Sequence, residues 1–141
     1  MIRVPGSLLD LIRREGERSY PAECCGVIGG RVAPVKEATR LVPIANRRTD
    51  DPHRYLIGPE DLRRVEQALS KEGWEILGYY HSHPDHPAVP SAFDAAHAWP
   101  WYSYLIVEIR EGRSGDLAAW VLHHEEPALE PEPLEIVSEV G

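Results

Sequence analysis

The apolar positions fall into short runs whose period changes along the chain. Ile2–Val4 is a brief apolar run fit for an edge strand. Leu8, Leu9, Leu11 and Ile12 then recur at helical spacing opposite Arg13, Arg14 and Glu15, which predicts an amphipathic helix capped by Ser7. Cys24–Arg31 reads as a strand, glycine-rich at its end, where other backbone can approach closely. Val35–Asn46 alternates weakly and is a second strand, and the charged stretch Asn46–His53 is a loop leading to a strand at Tyr55. Pro59 opens a helix with Leu62, Val65, Ala68 and Leu69 on one face, stopped by Gly73. Glu75–Tyr80 is a buried strand, and Ser91–Ala98 is a short helix that Pro100 ends. Tyr102–Glu111 and Asp116–Leu122 form two strands joined by a glycine-containing turn. The alternation of strands and helices within 141 residues makes one α/β domain.

The chemistry lies between the Glu75 strand and the Ser91 helix, in His81-Ser82-His83-Pro84-Asp85-His86-Pro87-Ala88-Val89-Pro90-Ser91-Ala92-Phe93-Asp94. His81 and His83 are two residues apart, so at the end of an extended strand both side chains leave on one face and Ser82 leaves on the other. Three prolines, Pro84, Pro87 and Pro90, stiffen the connection that returns the chain to Asp94. Zinc takes imidazole nitrogen and carboxylate oxygen in tetrahedral geometry, and a catalytic site keeps its fourth position for water. Two histidines and an aspartate supply three ligands. Ser91 and Asp94 also stand at the spacing of a capping box, and a first-turn acid stabilises a helix by charge alone. The histidine pair upstream tips Asp94 toward the metal.

The run His-Ser-His-Pro, seven residues and then Ser-x-x-Asp resembles the JAMM motif of the MPN+ zinc peptidases. That family carries a glutamate far upstream on Glu-x-Cys-Gly, matched here by Glu23-Cys24-Cys25-Gly26. Tyr55-Leu56-Ile57-Gly58-Pro59 and Ile76-Leu77-Gly78-Tyr79-Tyr80 are similar to the family's core, so the likeness spans roughly Pro21–Leu122. It implies a mixed, twisted sheet flanked by helices, the JAB1/MPN fold with its kinship to the cytidine-deaminase-like architecture. It also implies one zinc held by His81, His83 and Asp94, with Glu23 as general base and Ser91 stabilising the oxyanion. The implied activity of a stand-alone prokaryotic member is hydrolysis of the amide or isopeptide bond after the C-terminal Gly-Gly of a ubiquitin-like or sulfur-carrier protein. Gly29 and Gly30, near Glu23, are expected to help form a narrow groove for such a tail. Asn46–His53 sits where family members acting on ubiquitin carry an insertion that holds the substrate tail, and here it is short.

Composition narrows the alternatives. Fifteen Lys and Arg against 23 Asp and Glu give a net charge of −8, a surface that repels nucleic acid. The adjacent Cys24 and Cys25 do not suit a disulfide and read as small apolar residues of a reducing compartment. With no signal peptide or membrane span in the sequence, the expected location is the cytoplasm. The His-x-Glu and Pro-Cys-x-x-Cys elements of nucleobase deaminases are missing. Residues 1–124 are expected to form the catalytic domain. Residues 125–141 carry six glutamates and three prolines and are expected to be a solvated tail with room for one last edge strand. Two other classes remain, a non-catalytic MPN scaffold and a structural zinc domain in which His86 or His97 supplies a fourth ligand. The tryptophans Trp99, Trp101 and Trp120 read as core and rim packing before a peptide-binding surface.

Overall fold

The alternating runs become strands because their two sides bury against different helices. In the computed structural model residues 1–46, 57–123 and 128–138 are described; the expected Tyr55 strand and most of the Asn46–His53 loop lie outside them. Strand β1 (Ile2–Pro5) leads into helix α1 (Gly6–Ser19), then β2 (Cys25–Val32), β3 (Lys36–Ile44), helix α2 (Pro59–Lys71) and β4 (Glu75–Pro84). The short helix α3 (Ala92–His97) follows, then β5 (Ser103–Arg110), β6 (Arg113–Leu122), β7 (Leu129–Glu132) and β8 (Leu134–Val137). The strands make one eight-stranded sheet in the order β7-β6-β5-β4-β2-β3-β1-β8. It is mixed, since β4 pairs antiparallel with β2 and parallel with β5. No helix among the described residues is long and apolar enough to cross a membrane.

Successive residues of β2 and β4 divide between two cores. Ile28, Leu77 and Tyr80 pack with Leu9 and Ile12 of α1, while Val27 and Ile76 pack with Val65 and Leu69 of α2. Full burial of each such side chain contributes roughly 1.5–3 kcal/mol, so the sheet is held between the two helices by its pleat. Helix α1 differs from expectation at its start. It begins at Gly6 after Pro5, whose φ of −58° leads into the first turn, and no side chain caps it, so Ser7 is not the cap. Leu11 faces solvent, and the buried stripe instead continues through Leu9 and Ile12 to Gly16. A Cβ at Gly16 would stand 2.8 Å from Ile109 Cδ1 and 3.3 Å from Ser82 Cβ. Helix α1 can therefore lie directly on the strand that bears the histidines.

The segment expected as a solvated tail enters the sheet twice. Strands β7 and β8 lie on opposite edges although only Pro133 separates them in sequence, so the sheet curls until its edges meet. Ile2 N–H donates to Pro133 O at 3.0 Å across this seam. Beneath it Lys36 Nζ donates to Ser103 Oγ at 2.9 Å and to the Trp101 carbonyl, and lies 3.4 Å from Glu132 Oε2. Burial pushes the Lys36 pKa down, and Glu132 opposes the shift.

Candidate active site

Three elements meet at the C-terminal end of β4. This strand runs on through Pro84, so His81 and His83 stand near its end, and both are buried. Their neighbours are β2 on one side, with Cys25 opposite His81, and β5 on the other, with Ile106 opposite His81. Helix α3 brings the third residue. Ser91 caps it in a complete capping box: Ser91 Oγ accepts from Asp94 N–H at 3.0 Å, and Asp94 Oδ2 accepts from Ser91 N–H at 2.8 Å.

The ring of His83 is oriented by its second nitrogen. Nδ1 lies 2.8 Å from Pro87 O, an acceptor only, so Nδ1 carries a proton and Nε2 is the nitrogen that faces the site. That Nε2 lies 3.0 Å from Asp94 Oδ2 and 3.1 Å from His81 Nε2, while Asp94 Oδ1 lies 3.3 Å from His81 Nε2. Burial drives the His81 pKa below the ordinary imidazole value. Burial works against ionisation of Asp94, yet the His81 and His83 edges and the Ser91 N–H hold its carboxyl well below the usual range. The nitrogen edges of two imidazoles and a carboxylate thus converge at contact distance, a donor set that suits a metal cation. Zinc–ligand bonds of 2.0–2.1 Å in tetrahedral geometry separate ligand atoms by roughly 3.3 Å, close to these spacings. The residues present fit the ion.

Among the described residues this group of potential metal ligands comprises His81, His83 and Asp94. His97 is not part of it: its ring stacks on Phe93 at 4.1 Å between centroids and its Nδ1 pairs with Phe93 O. His86 is likewise outside the group, although it lines the adjoining cleft together with Glu23, His83, Ser91 and Phe93. At about 420 Å³ this cleft takes a few residues of extended chain, not a folded domain. Glu23 is 5% exposed, and its carbonyl accepts from Asn46 Nδ2 at 3.3 Å. Ser91 Oγ accepts the Asp94 N–H, which leaves its own proton available to a ligand.

One sequence expectation changes. Gly29 and Gly30 do not open on the cleft, since a Cβ at Gly29 would meet Leu69 at 2.6 Å and one at Gly30 would meet Glu37 O at 2.0 Å. Their lack of side chains serves the packing of α2 and β3. The cysteines are buried and free, and burial pushes both thiols up to about 12, so neither is a thiolate nucleophile at neutral pH. Sequence reasoning also missed the supports of the loop after His83. Trp120 Nε1 donates to Ala88 O at 3.0 Å, a long-range contact with no local signal. Trp99 and Trp101 are 67% and 45% exposed, so neither is core.

Comparison with known proteins places this geometry in a family. The chain is 36% identical over 101 residues to the desampylase of Haloferax volcanii, covering 71% of this chain and 72% of the relative. It is 36% identical over 106 residues to a probable TtuB-protein conjugate cleaving protease of Thermus thermophilus, covering 75% and 69%. The solution structure of a protein from Desulfitobacterium hafniense superposes with a TM-score of 0.86 at 26% identity, over 99% of this chain and 95% of that one. The crystal structure of a JAB1/MPN domain protein from Archaeoglobus fulgidus matches with a TM-score of 0.62 at 19% identity, over 98% and 100%, and so shares the fold. Residues 5–123 match the family described as prokaryotic homologs of the JAB domain, and the chain belongs to that family.

Proposed function

We propose that the chain is a zinc-dependent metallopeptidase that hydrolyses the amide or isopeptide bond after the C-terminal Gly-Gly of a ubiquitin-like or sulfur-carrier protein. The observation that carries the reading is the convergence of His81, His83 and Asp94 beside a cleft that His83, Glu23 and Ser91 line. The names of the two curated relatives, a desampylase and a conjugate cleaving protease, supply the substrate class. His81, His83 and Asp94 would hold one zinc ion. When bound, the ion supplies Lewis acidity, which lowers the pKa of water toward about 7 and polarises a carbonyl. Glu23 then acts as the base that takes a proton from the attacking water and returns it to the leaving amine, a role worth typically 10²–10⁴-fold. Ser91 donates its free hydroxyl proton to the developing negative oxygen. The cleft admits an extended tail and excludes the folded body, and two glycines next to the scissile bond pass such a constriction most easily.

The test combines metal and turnover. Protein purified without chelator is expected to hold about one zinc per chain and to release a reporter amine fused behind the Gly-Gly of a sulfur-carrier protein. Glu23→Gln is expected to keep the zinc and lose about 10²–10⁴-fold in rate. Zinc absent from wild type and not restored on addition, or full turnover in Glu23→Gln, would overturn the reading.

A further inference from the structure

We infer that Ser82 and the Tyr20–Asp85 pair are positioning residues that clamp the segment bearing Glu23 onto the histidine strand. The inference rests on the assignment of Glu23 as the base. Cys24 directly follows Glu23, and Ser82 stands between His81 and His83. At this point the β2–β4 ladder ends, yet Ser82 N–H still donates to Cys24 O at 3.2 Å. The return bond comes from a side chain, since Cys24 N–H donates to Ser82 Oγ at 2.9 Å. Ser82 is fully buried on the α1 face, where a polar group persists only with a partner. Its hydroxyl thereby links the residue after the base to the residue between two ligands.

The other end of the segment is tied independently. Tyr20 O–H donates to Asp85 Oδ2 at 2.6 Å, and Asp85 lies two residues beyond His83. Asp85 is itself fixed: its N–H donates to Ile109 O at 2.6 Å, and its Oδ1 accepts from Glu111 N–H at 2.8 Å. Its φ of +57° is a left-handed conformation that Asp tolerates better than most residues. Residues 20–24 are therefore held to residues 82–85 at both ends, with Glu23 in the span between. A general base must reach its proton within about 2.6–3.2 Å, and a displacement of about 1 Å costs on the order of 10²-fold. A span tied at both ends meets that tolerance where an end-frayed one does not.

The experiment uses Tyr20→Phe and Ser82→Ala, each in the wild-type and the Glu23→Gln background, with zinc content measured throughout. Each variant is expected to lower kcat about tenfold with KM unchanged and zinc retained, and the pair about 10²-fold. In the Glu23→Gln background neither should lower the residual rate further, because the clamp acts through Glu23. Hydrogen exchange on chelator-treated protein gives a readout independent of the metal: the Cys24 amide is expected to exchange about tenfold faster in Ser82→Ala. Should Ser82→Ala not fold, Tyr20→Phe, at a half-buried position, still decides the matter. Wild-type kcat in the folded variants with an inactive Glu23→Gln would overturn the clamp alone. Equal losses in both backgrounds would also overturn it, and full activity of Glu23→Gln would remove the base assignment beneath it.

Discussion

Asp94 serves two structures at once, and its two roles separate by mutation. Its Oδ2 accepts the Ser91 N–H and also faces His83 Nε2, while Oδ1 faces His81. An Asn at this position still accepts a hydrogen bond at the helix start but is a poor metal ligand. Asp94→Asn is therefore expected to lose zinc while the chelator-treated protein stays within about 1 kcal/mol of equally treated wild type, measured by denaturant unfolding. If only a capping acid stood here, metal content would not change. Ser91 divides in the opposite way. Ser91→Ala removes the cap, worth about 0.5–2 kcal/mol, and the proposed donor to the oxyanion, so kcat should fall about 10²–10³-fold with zinc retained. A loss of stability with unchanged kcat would leave Ser91 as a cap only. The spacing of Ser91 and Asp94 made the capping box legible in the sequence. It could not show that one carboxylate oxygen serves both the cap and the histidine, because that depends on where the loop returns.

At the level of elements, the sequence placed most strands and helices because the pleat and the helical stripe leave regular marks. Val27 and Ile28, or Ile76 and Leu77, fall to opposite cores as strand alternation requires. The misses share a cause. Ser7 looked like a cap, but Pro5 and the pairing of β1 set the helix start two residues earlier, a tertiary constraint on a local signal. Gly29 and Gly30 looked like a groove because a glycine records that something approaches and not what does so. The three residues that converge at the site were legible, while the bonds that hold its loop were not, since one comes from a residue 32 positions away and the other depends on how the loop folds back on the strand. Trp120 Nε1 reaches Ala88 O from β6, and His83 Nδ1 reaches Pro87 O from inside the strand. The loop is thus fastened at two successive carbonyls. Trp120→Phe keeps the ring but leaves Ala88 O without that donor, and should destabilise by about 1–3 kcal/mol in denaturant unfolding while zinc content stays unchanged. Loss of zinc in that variant would mean that the indole, more than the imidazole bond, sets the loop.

For the whole molecule, the segment 129–137 supplies both edge strands of the sheet. Composition argued for a solvated tail, since six glutamates and three prolines in residues 125–141 oppose burial. What overrides composition is pairing: Leu129–Glu132 covers β6 on one edge and Leu134–Val137 covers β1 on the other. Alternation over four residues is a short signal, and where the sequence left room for one edge strand the structure has two. Beneath the seam the Lys36 and Glu132 side chains are 8% and 4% exposed, so neither charge is screened by water. Removing one partner of a buried pair leaves an unpaired charge at a cost of about 3–5 kcal/mol, whereas replacing both with apolar groups is often neutral. Glu132→Leu alone should lower the unfolding midpoint sharply, and Lys36→Met with Glu132→Leu should recover most of it. A chain ending at residue 124 removes both edge strands and the pair together. It exposes two open edges, one beside the buried Ile2 and Val4, and unpaired edges invite association between copies. Such a chain is expected to unfold at a lower denaturant midpoint and to aggregate in light scattering. An unchanged midpoint with monodisperse behaviour would return residues 125–141 to the status of a dispensable tail. Zinc content separates the two levels of organisation: β4 and α3 lie away from the seam, so whatever fraction of the shortened chain folds should still bind one ion per chain.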